Sequence, residues 1–365
     1  MRIGVPKETK VHEYRVGLSP ASVGELTAHG HEVWVEADAG TSIGFDNAHY
    51  RSAGAQIVDQ AAAFAADMVV KVKEPSLDEC AQLQRDQILF TYLHLAAAQP
   101  QARVLMERGV TAIAYETVED AAGRLPLLSP MSEVAGRMSI QVGAYALQKA
   151  AGGRGTLLGG VPGVAPGKVV ILGGGMAGTN AAYMAVGMHA DVTILDKSVD
   201  RLRALSTEFG GRAKVLMASR ENIAQAVRSA DLVVGAVLVP GASAPKLVDR
   251  QLLSEMLPGS VLVDISIDQG GTFESSRPTS HDQPTYIEQG VVHYCVTNMP
   301  GAVARTATEA LNNVTLPYVL AIADKGWRHA LAEDPGFGKG LNVSEGGICH
   351  PEVAKALGIA GPLAA

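Results

Sequence analysis

Short apolar runs alternate with patterns of helical period along almost the whole chain. In the first third, RIGVP, HEVWVEA, DMVVKV, QILFTYL and GVTAIAY have the length and β-branched character of strands, and PASVGELTAHG, QAAAFAA and PQARVLMERG between them read as helices. This alternation predicts βαβ units and a parallel sheet. Strands covered on both faces explain runs nearly continuous in Val and Ile. The pattern breaks at DAAGRLPLLSP, and a long helical pattern over 131–151 follows. The Gly/Pro-rich stretch GGRGTLLGGVPGVAPG keeps its apolar residues and reads as a structured loop. A second alternating series starts at KVVILGGG and runs through ADVTILD, AKVLMAS, ADLVVGAVLV and GSVLVDIS to GVVHYCV. The segment 304–325 is again helical in pattern. A chain of 365 residues with two such series predicts two α/β domains.

Composition narrows the function classes. Hydrophobic residues make up 47% and charged residues 18%, the balance of a globular protein. The net charge of −7 offers no basic field for nucleic acid. Cys80, Cys295 and Cys349 are widely spaced and odd in number, which indicates neither a disulfide framework nor a zinc site and fits a reducing cytoplasm. No metal ligation is expected. No run approaches the roughly 18 apolar residues of a membrane span, and MRIGVPKETK has no apolar signal core.

The most specific local signal is KVVILGGGMAGTNAAYMAVGMHADVTILD. Gly173, Gly175 and Gly178 fit G-x-G-x-x-G between a strand and a helix, and the next strand ends at Asp196. Gly173 permits the tight turn, Gly175 lets a pyrophosphate approach the backbone, and Gly178 lets the helix pack on the sheet. A carboxylate at Asp196 accepts from ribose hydroxyls and repels a 2′-phosphate, so the pattern favours NAD over NADP.

Other strand ends carry polar groups, where ligands of open α/β sheets sit. Lys73 stands at the end of the strand in VVKVKEP, His94 interrupts ILFTYLHLAAA, VLVDISIDQGG places Asp268 just after a strand, VVHYCVTNMPGAV places Asn298 and Met299 after another, and Arg15 in EYRVGLSP follows the first strand. Each has an ordinary alternative as a core histidine, a snorkelling lysine, a turn cap or a surface charge. Together they make a set suited to a small carboxylate beside a nicotinamide. By strand alternation Lys71 shares the face of Lys73. Lys73 is expected to reach a ligand and Lys71 to form a structural ion pair.

Over essentially its full length the chain resembles the alanine dehydrogenases. The resemblance is carried by MRIGVPKETKVHEYRVGLSP, VVKVKEP, LFTYLHLAA, TAIAYETVE, GGVPGV, VVILGGGMAG, GAVLVPG, DISIDQGG, HYCVTNMPGAV and TLPY. Related proteins include the nucleotide-binding part of proton-translocating transhydrogenases and the saccharopine/lysine-type dehydrogenases. The resemblance implies an α/β fold of two doubly wound parallel-sheet domains. An NAD-binding Rossmann domain (129–303) would be inserted into a discontinuous substrate domain (1–128 and 304–365), with the active site in the cleft between them. It implies Arg15 and Lys73 as substrate-binding residues, and His94 and Asp268 as catalytic ones. Around the cofactor it implies Ser132, Met176, Ala177, Asp196, Arg201 and Ser219. It adds Val237 and Leu238, then Ile265, Ser266 and Ile267, and finally Val296, Thr297, Asn298 and Met299. The activity implied is reversible conversion of L-alanine to pyruvate and ammonium with NAD, in a cytoplasmic homo-hexamer. A transhydrogenase-type subunit or a lysine-type dehydrogenase is the alternative.

Overall fold

The computed structural model describes residues 1–238 and 243–359. The end of the GAVLVPG motif, residues 239–241, lies outside the described residues. So do the last strand position of ADLVVGAVLV and residues 360–365 of the expected substrate domain. The chain divides into two compact units, one formed by Met1–Met131 and the segment from Val303 onward, the other by Ser132–Ala302. Each is built round one sheet.

The first six strands are β1 (Arg2–Val5), β2 (Glu32–Glu36), β3 (Gln56–Val58), β4 (Met68–Val70), β5 (Ile88–Thr91) and β6 (Thr111–Ala114). The second unit holds β7 (Lys168–Leu172), β8 (Asp191–Asp196), β9 (Lys214–Met217), β10 (Leu232–Gly235), β11 (Val261–Asp264), β12 (Thr285–Glu288) and β13 (Val291–Tyr294). The chain then returns to the first unit with β14 (Leu341–Ser344) and β15 (Gly347–Ile348).

The first sheet has the order β15-β14-β6-β5-β4-β1-β2-β3 and the second β12-β13-β11-β10-β7-β8-β9. Numbered from its own first strand, the first sheet contains the doubly wound order 3-2-1-4-5-6, and the second reads 3-2-1-4-5-7-6, its sixth strand lying at the edge. Both sheets are parallel except at one edge, where β14, β15 and β12 run antiparallel. Alternation alone predicts wholly parallel sheets. The exceptions arise where a short connection replaces a crossover helix, as between β12 and β13. Two of the strands, β3 and β12, are too short or too exposed to stand out as apolar runs.

The long helical pattern at 131–151 becomes the helix Ser129–Ala146 and a separate 3-10 turn Lys149–Ala151. The helix Ala304–Lys325 closes the first unit from the far end of the sequence. Its Asn312 accepts from Ser19 N–H at 2.8 Å and from Ser22 Oγ at 2.7 Å, and donates to Gly17 C=O at 3.2 Å. Thr308 Oγ1 accepts from Val16 N–H at 3.3 Å. The C-terminal helix therefore fixes the loop that carries Arg15. Each unit has a cluster of buried apolar residues, one including Leu89, Leu93, Leu105 and Val343, the other Val170, Leu195, Val233 and Leu262. Among the described residues no helix is long and apolar enough to cross a membrane.

Strand β4 stops at Val70, earlier than the run DMVVKV suggests, but its pairing continues through Lys71 N–H to Phe90 C=O at 3.2 Å. Lys71 is completely buried. Its Nζ lies 3.2 Å from Glu8 Oε2 and 3.1 Å from Glu79 Oε1, two carboxylates that are themselves almost fully buried. Burial works against the lysine's charge, and Glu8 and Glu79 more than reverse this, so its pKa lies above the ordinary 10.5. This is the structural ion pair expected for Lys71, with two acids in place of one.

Lys71→Met strands two buried carboxylates without their cation and should destabilise the protein by about 3–5 kcal/mol in urea denaturation. Because the pKa of Lys71 is raised on folding, its contribution is complete below pH 10.5 and disappears as pH rises through the folded value. The gap between wild type and variant should therefore narrow in strong alkali.

Candidate active site

In the first unit, the carboxyl ends of neighbouring strands carry the polar groups singled out above. The strand order reverses between β1 and β4, the position at which such sheets hold ligands. After β1 comes the loop bearing Glu8, Glu13 and Arg15. After β4 come Lys71 and Lys73, after β5 His94, and after β6 Glu116.

Arg15 is buried and gripped by Glu13. Its Nε donates to Glu13 Oε1 at 2.7 Å and its Nη2 to Oε2 at 2.6 Å, a two-pronged pair, while Nη1 meets Met131 Sδ at 3.1 Å. Burial alone would lower the arginine's pKa, and Glu13 reverses that to a net rise. The guanidinium is thus a fixed cation whose orientation is set before any ligand arrives.

Lys73 is half-buried. Its backbone N–H donates to Glu8 Oε1 at 3.3 Å, which also accepts from Val72 N–H at 2.7 Å, and its C=O accepts from Thr91 Oγ1 at 3.1 Å. Neighbouring Glu74 is pushed up by burial, but Lys10 and the charge of Lys73 bring its pKa below the ordinary carboxylate value. Lys73 therefore presents a positive charge from a backbone pinned on both sides.

His94 is exposed and adopts φ 49°, unusual for a residue with a side chain. Its ring lies parallel to that of Tyr92, with centroids 6.0 Å apart. The acids Glu8, Glu13 and Glu116 were not singled out from the sequence. Each sits within a few residues of an apolar strand run, and that position is the signal that could have marked them.

In the second unit the glycine turn follows β7. Gly173 has φ 100°, and a Cβ at Gly178 would lie 1.8 Å from Gly173 C=O, so that approach of helix to turn requires glycine. Gly175 caps the helix Met176–Gly187 without any side-chain hydrogen bond, and a Cβ there would meet open space. Bare N–H groups at a helix N-terminus beside open space suit the phosphates of a dinucleotide. Asp196, at the end of β8, takes Gly174 N–H at 2.7 Å and Ser198 N–H at 2.8 Å, so it shapes the turn as well as facing outward from it. Arg201 bonds Gly174 C=O and Thr179 Oγ1. A cavity of about 540 Å³ opens at Gly175 and Met176 and runs along the helix past Asn180 and Tyr183.

The other cofactor candidates gather at the same edge of the second sheet. Val237 and Leu238 follow β10, Ile265 to Asp268 follow β11, and Val296 to Met299 follow β13. Asp264 accepts from Thr272 N–H at 2.7 Å, Ser266 N–H at 3.1 Å and Ser276 Oγ, which folds the loop carrying exposed Asp268 into a 3-10 turn. Ser266 Oγ donates to Val237 C=O at 2.7 Å. Ala177 lies in the first turn of the helix after the glycines, and Ser132 in the first turn of Ser129–Ala146. Ser219 caps the helix Arg220–Arg228 by accepting from Asn222 N–H, a structural task it performs whether or not it meets a ligand. Among the described residues no group of three or more His, Cys, Asp or Glu could hold a metal ion.

Two family models together match most of the chain. Residues 4–135 match the N-terminal domain of alanine dehydrogenase/PNT, and residues 139–351 match its C-terminal domain. The chain is 55% identical to an alanine dehydrogenase of Halomonas elongata, over 98% of this chain and 97% of that protein. It is 53% identical to one of Mycobacterium tuberculosis, with the same coverage.

The chain belongs to the alanine dehydrogenase family.

A solved L-alanine dehydrogenase superposes with a TM-score of 0.96 at 55% identity, covering 98% of this chain and 99% of that one. A transhydrogenase from Sinorhizobium meliloti, at 24% identity and a TM-score of 0.83 over 96% and 99% of the two chains, shares the fold. In this family member, Gly178→Ala should displace helix or turn, the strain of an overpacked contact being about 1–3 kcal/mol. NADH titration followed by nucleotide fluorescence should show affinity reduced about tenfold or more.

Proposed function

We propose that the chain catalyses the reversible oxidative deamination of L-alanine: L-alanine, NAD⁺ and water give pyruvate, ammonium, NADH and a proton. One observation carries the reading. In a chain 55% identical to alanine dehydrogenases, Arg15, Lys73 and His94 leave the carboxyl ends of adjacent strands at the strand-order reversal of one sheet.

Arg15 forks onto the substrate carboxylate, with Glu13 keeping the guanidinium plane in place. Lys73 holds the carboxylate or polarises the carbonyl oxygen. The Gly173–Gly178 turn and Asp196 would hold NAD, which when bound would supply the acceptor for the hydride leaving Cα. His94 takes a proton from the amino group and passes it to solvent, then takes one from the water that adds to the imine and returns it to the departing amine, while the hydroxyl proton lost as the carbonyl forms converts ammonia to ammonium. Asp268 orients that water and balances the cationic imine. Ser132, Met176, Ala177, Arg201, Ser219, Val237, Leu238, the stretch 265–267 and the stretch 296–299 complete the cofactor site. The protein works as a cytoplasmic homo-hexamer, a reading supported by the family resemblance and, for the compartment, by three free cysteines.

The deciding assay is NADH formation from a panel of L-amino acids, with pyruvate plus ammonium in reverse. Alanine should be the preferred substrate. A preference for lysine, or NAD(H) binding without amino-acid oxidation, would overturn the reading.

Two variants test the roles. His94→Ala should lower kcat by about two to four orders of magnitude, the range for a lost acid–base group. Lys73→Ala should abolish turnover while NADH still binds with unchanged affinity in fluorescence titration.

A further inference from the structure

We propose that Glu116 is a positioning residue for His94. The inference rests on the catalytic role proposed above for that histidine. Strand β5 ends at Thr91, which pairs with Ala114 of β6; Tyr92 N–H still donates to Val72 C=O at 3.3 Å, and the N–H groups of Leu93 and His94 lie beyond the ladder. Glu116, two residues past Ala114, takes them. Its carboxylate accepts from Leu93 N–H through both oxygens at 3.2 Å and from His94 N–H through Oε1 at 2.6 Å. The side chain of Glu116 is only 14% exposed, whereas that of His94 is 46% exposed.

The contact explains how an exposed histidine keeps an uncommon backbone. His94 sits at φ 49°, and its C=O accepts from Ala97 N–H at 2.9 Å and Ala98 N–H at 3.1 Å to form a tight turn. A left-handed residue with a side chain persists where its surroundings hold it there. Here one carboxylate grips the N–H on one side and the turn grips the C=O on the other. Glu116 Oε1 is 3.8 Å from His94 Nδ1, too far for a hydrogen bond. Its hold is therefore on the backbone, and it acts on the chemistry by aiming the ring.

The test is a double-mutant cycle on the full-length enzyme, with pyruvate, ammonium and NADH as substrates. Glu116→Ala should lower kcat by about tenfold or more, the cost of a misplaced catalytic group, with NADH affinity unchanged. In a His94→Ala background the same change should cost less than about twofold, since a residue that acts through His94 has nothing left to aim. Glu116→Gln keeps a carbonyl oxygen for the N–H groups and should restore kcat to within about threefold of wild type. An equal cost in both backgrounds would overturn the proposal. So would a Gln variant as slow as the Ala variant, or NADH binding lost in step with turnover. Near-normal turnover of His94→Ala alone would instead defeat the role proposed for the histidine.

Discussion

Parallel strands that end in a crevice leave backbone N–H groups without ladder partners, and in this molecule carboxylates take them. Glu8 accepts from Val72 and Lys73, Glu116 from Leu93 and His94, Asp196 from Gly174 and Ser198, and Asp264 from Ser266 and Thr272. An unpaired buried N–H costs about 1–3 kcal/mol, and a bond to a charged acceptor is stronger than a neutral one. The arrangement thus stiffens the loops at the carboxyl edge of both sheets. Those loops carry Lys73, His94, the glycine turn and Asp268. Loops are normally mobile, and anchoring each to a carboxylate, buried in Glu8 and Asp264 and partly buried in Glu116 and Asp196, offsets that.

Buried acids need a counter-charge, and this explains Lys71. It stands between Glu8 and Glu79, and Glu79 also closes a capping box with Ser76 at the start of the helix Leu77–Gln82. One ammonium therefore joins the loop after β1, the end of β4 and the next helix. Burial nevertheless pushes the pKa of Glu8 up, with Lys71 and the Val72 N–H opposing it only in part. Two lysines that share a strand face thus divide the work. Lys71, the deeper one, is held in a buried cluster with Glu8 and Glu79, and Lys73, nearer the strand end, is half-buried.

Much of the fold was legible because its signals are local. β-branched runs, the helical pattern of PASVGELTAHG and a glycine triplet between strand and helix each depend on residues adjacent in sequence. The glycine turn was the clearest case. Gly178 lies so close to Gly173 C=O that no side chain fits, and that exclusion is written in the residue type. The short strands β3 and β12 and the antiparallel edge were not legible. Their pairing is decided by the neighbours available at a sheet edge, not by their own few residues.

The sequence by itself determined the alternation of strands and helices, the nucleotide turn, the acid at the end of β8 and the family to which the chain belongs. It also marked Arg15, Lys73, His94 and Asp268 as polar groups at strand ends. Only the tertiary structure decided what surrounds them: Glu13 on Arg15, Glu8 under Lys73, Glu116 behind His94. It also decided that helix Ala304–Lys325 returns to hold the Arg15 loop through Asn312. For all but the Glu13–Arg15 pair, which are two residues apart, the physical reason is that a hydrogen bond between residues 22 to 295 positions apart leaves no periodicity in the chain. It exists only after the strand order has brought its partners to the same edge.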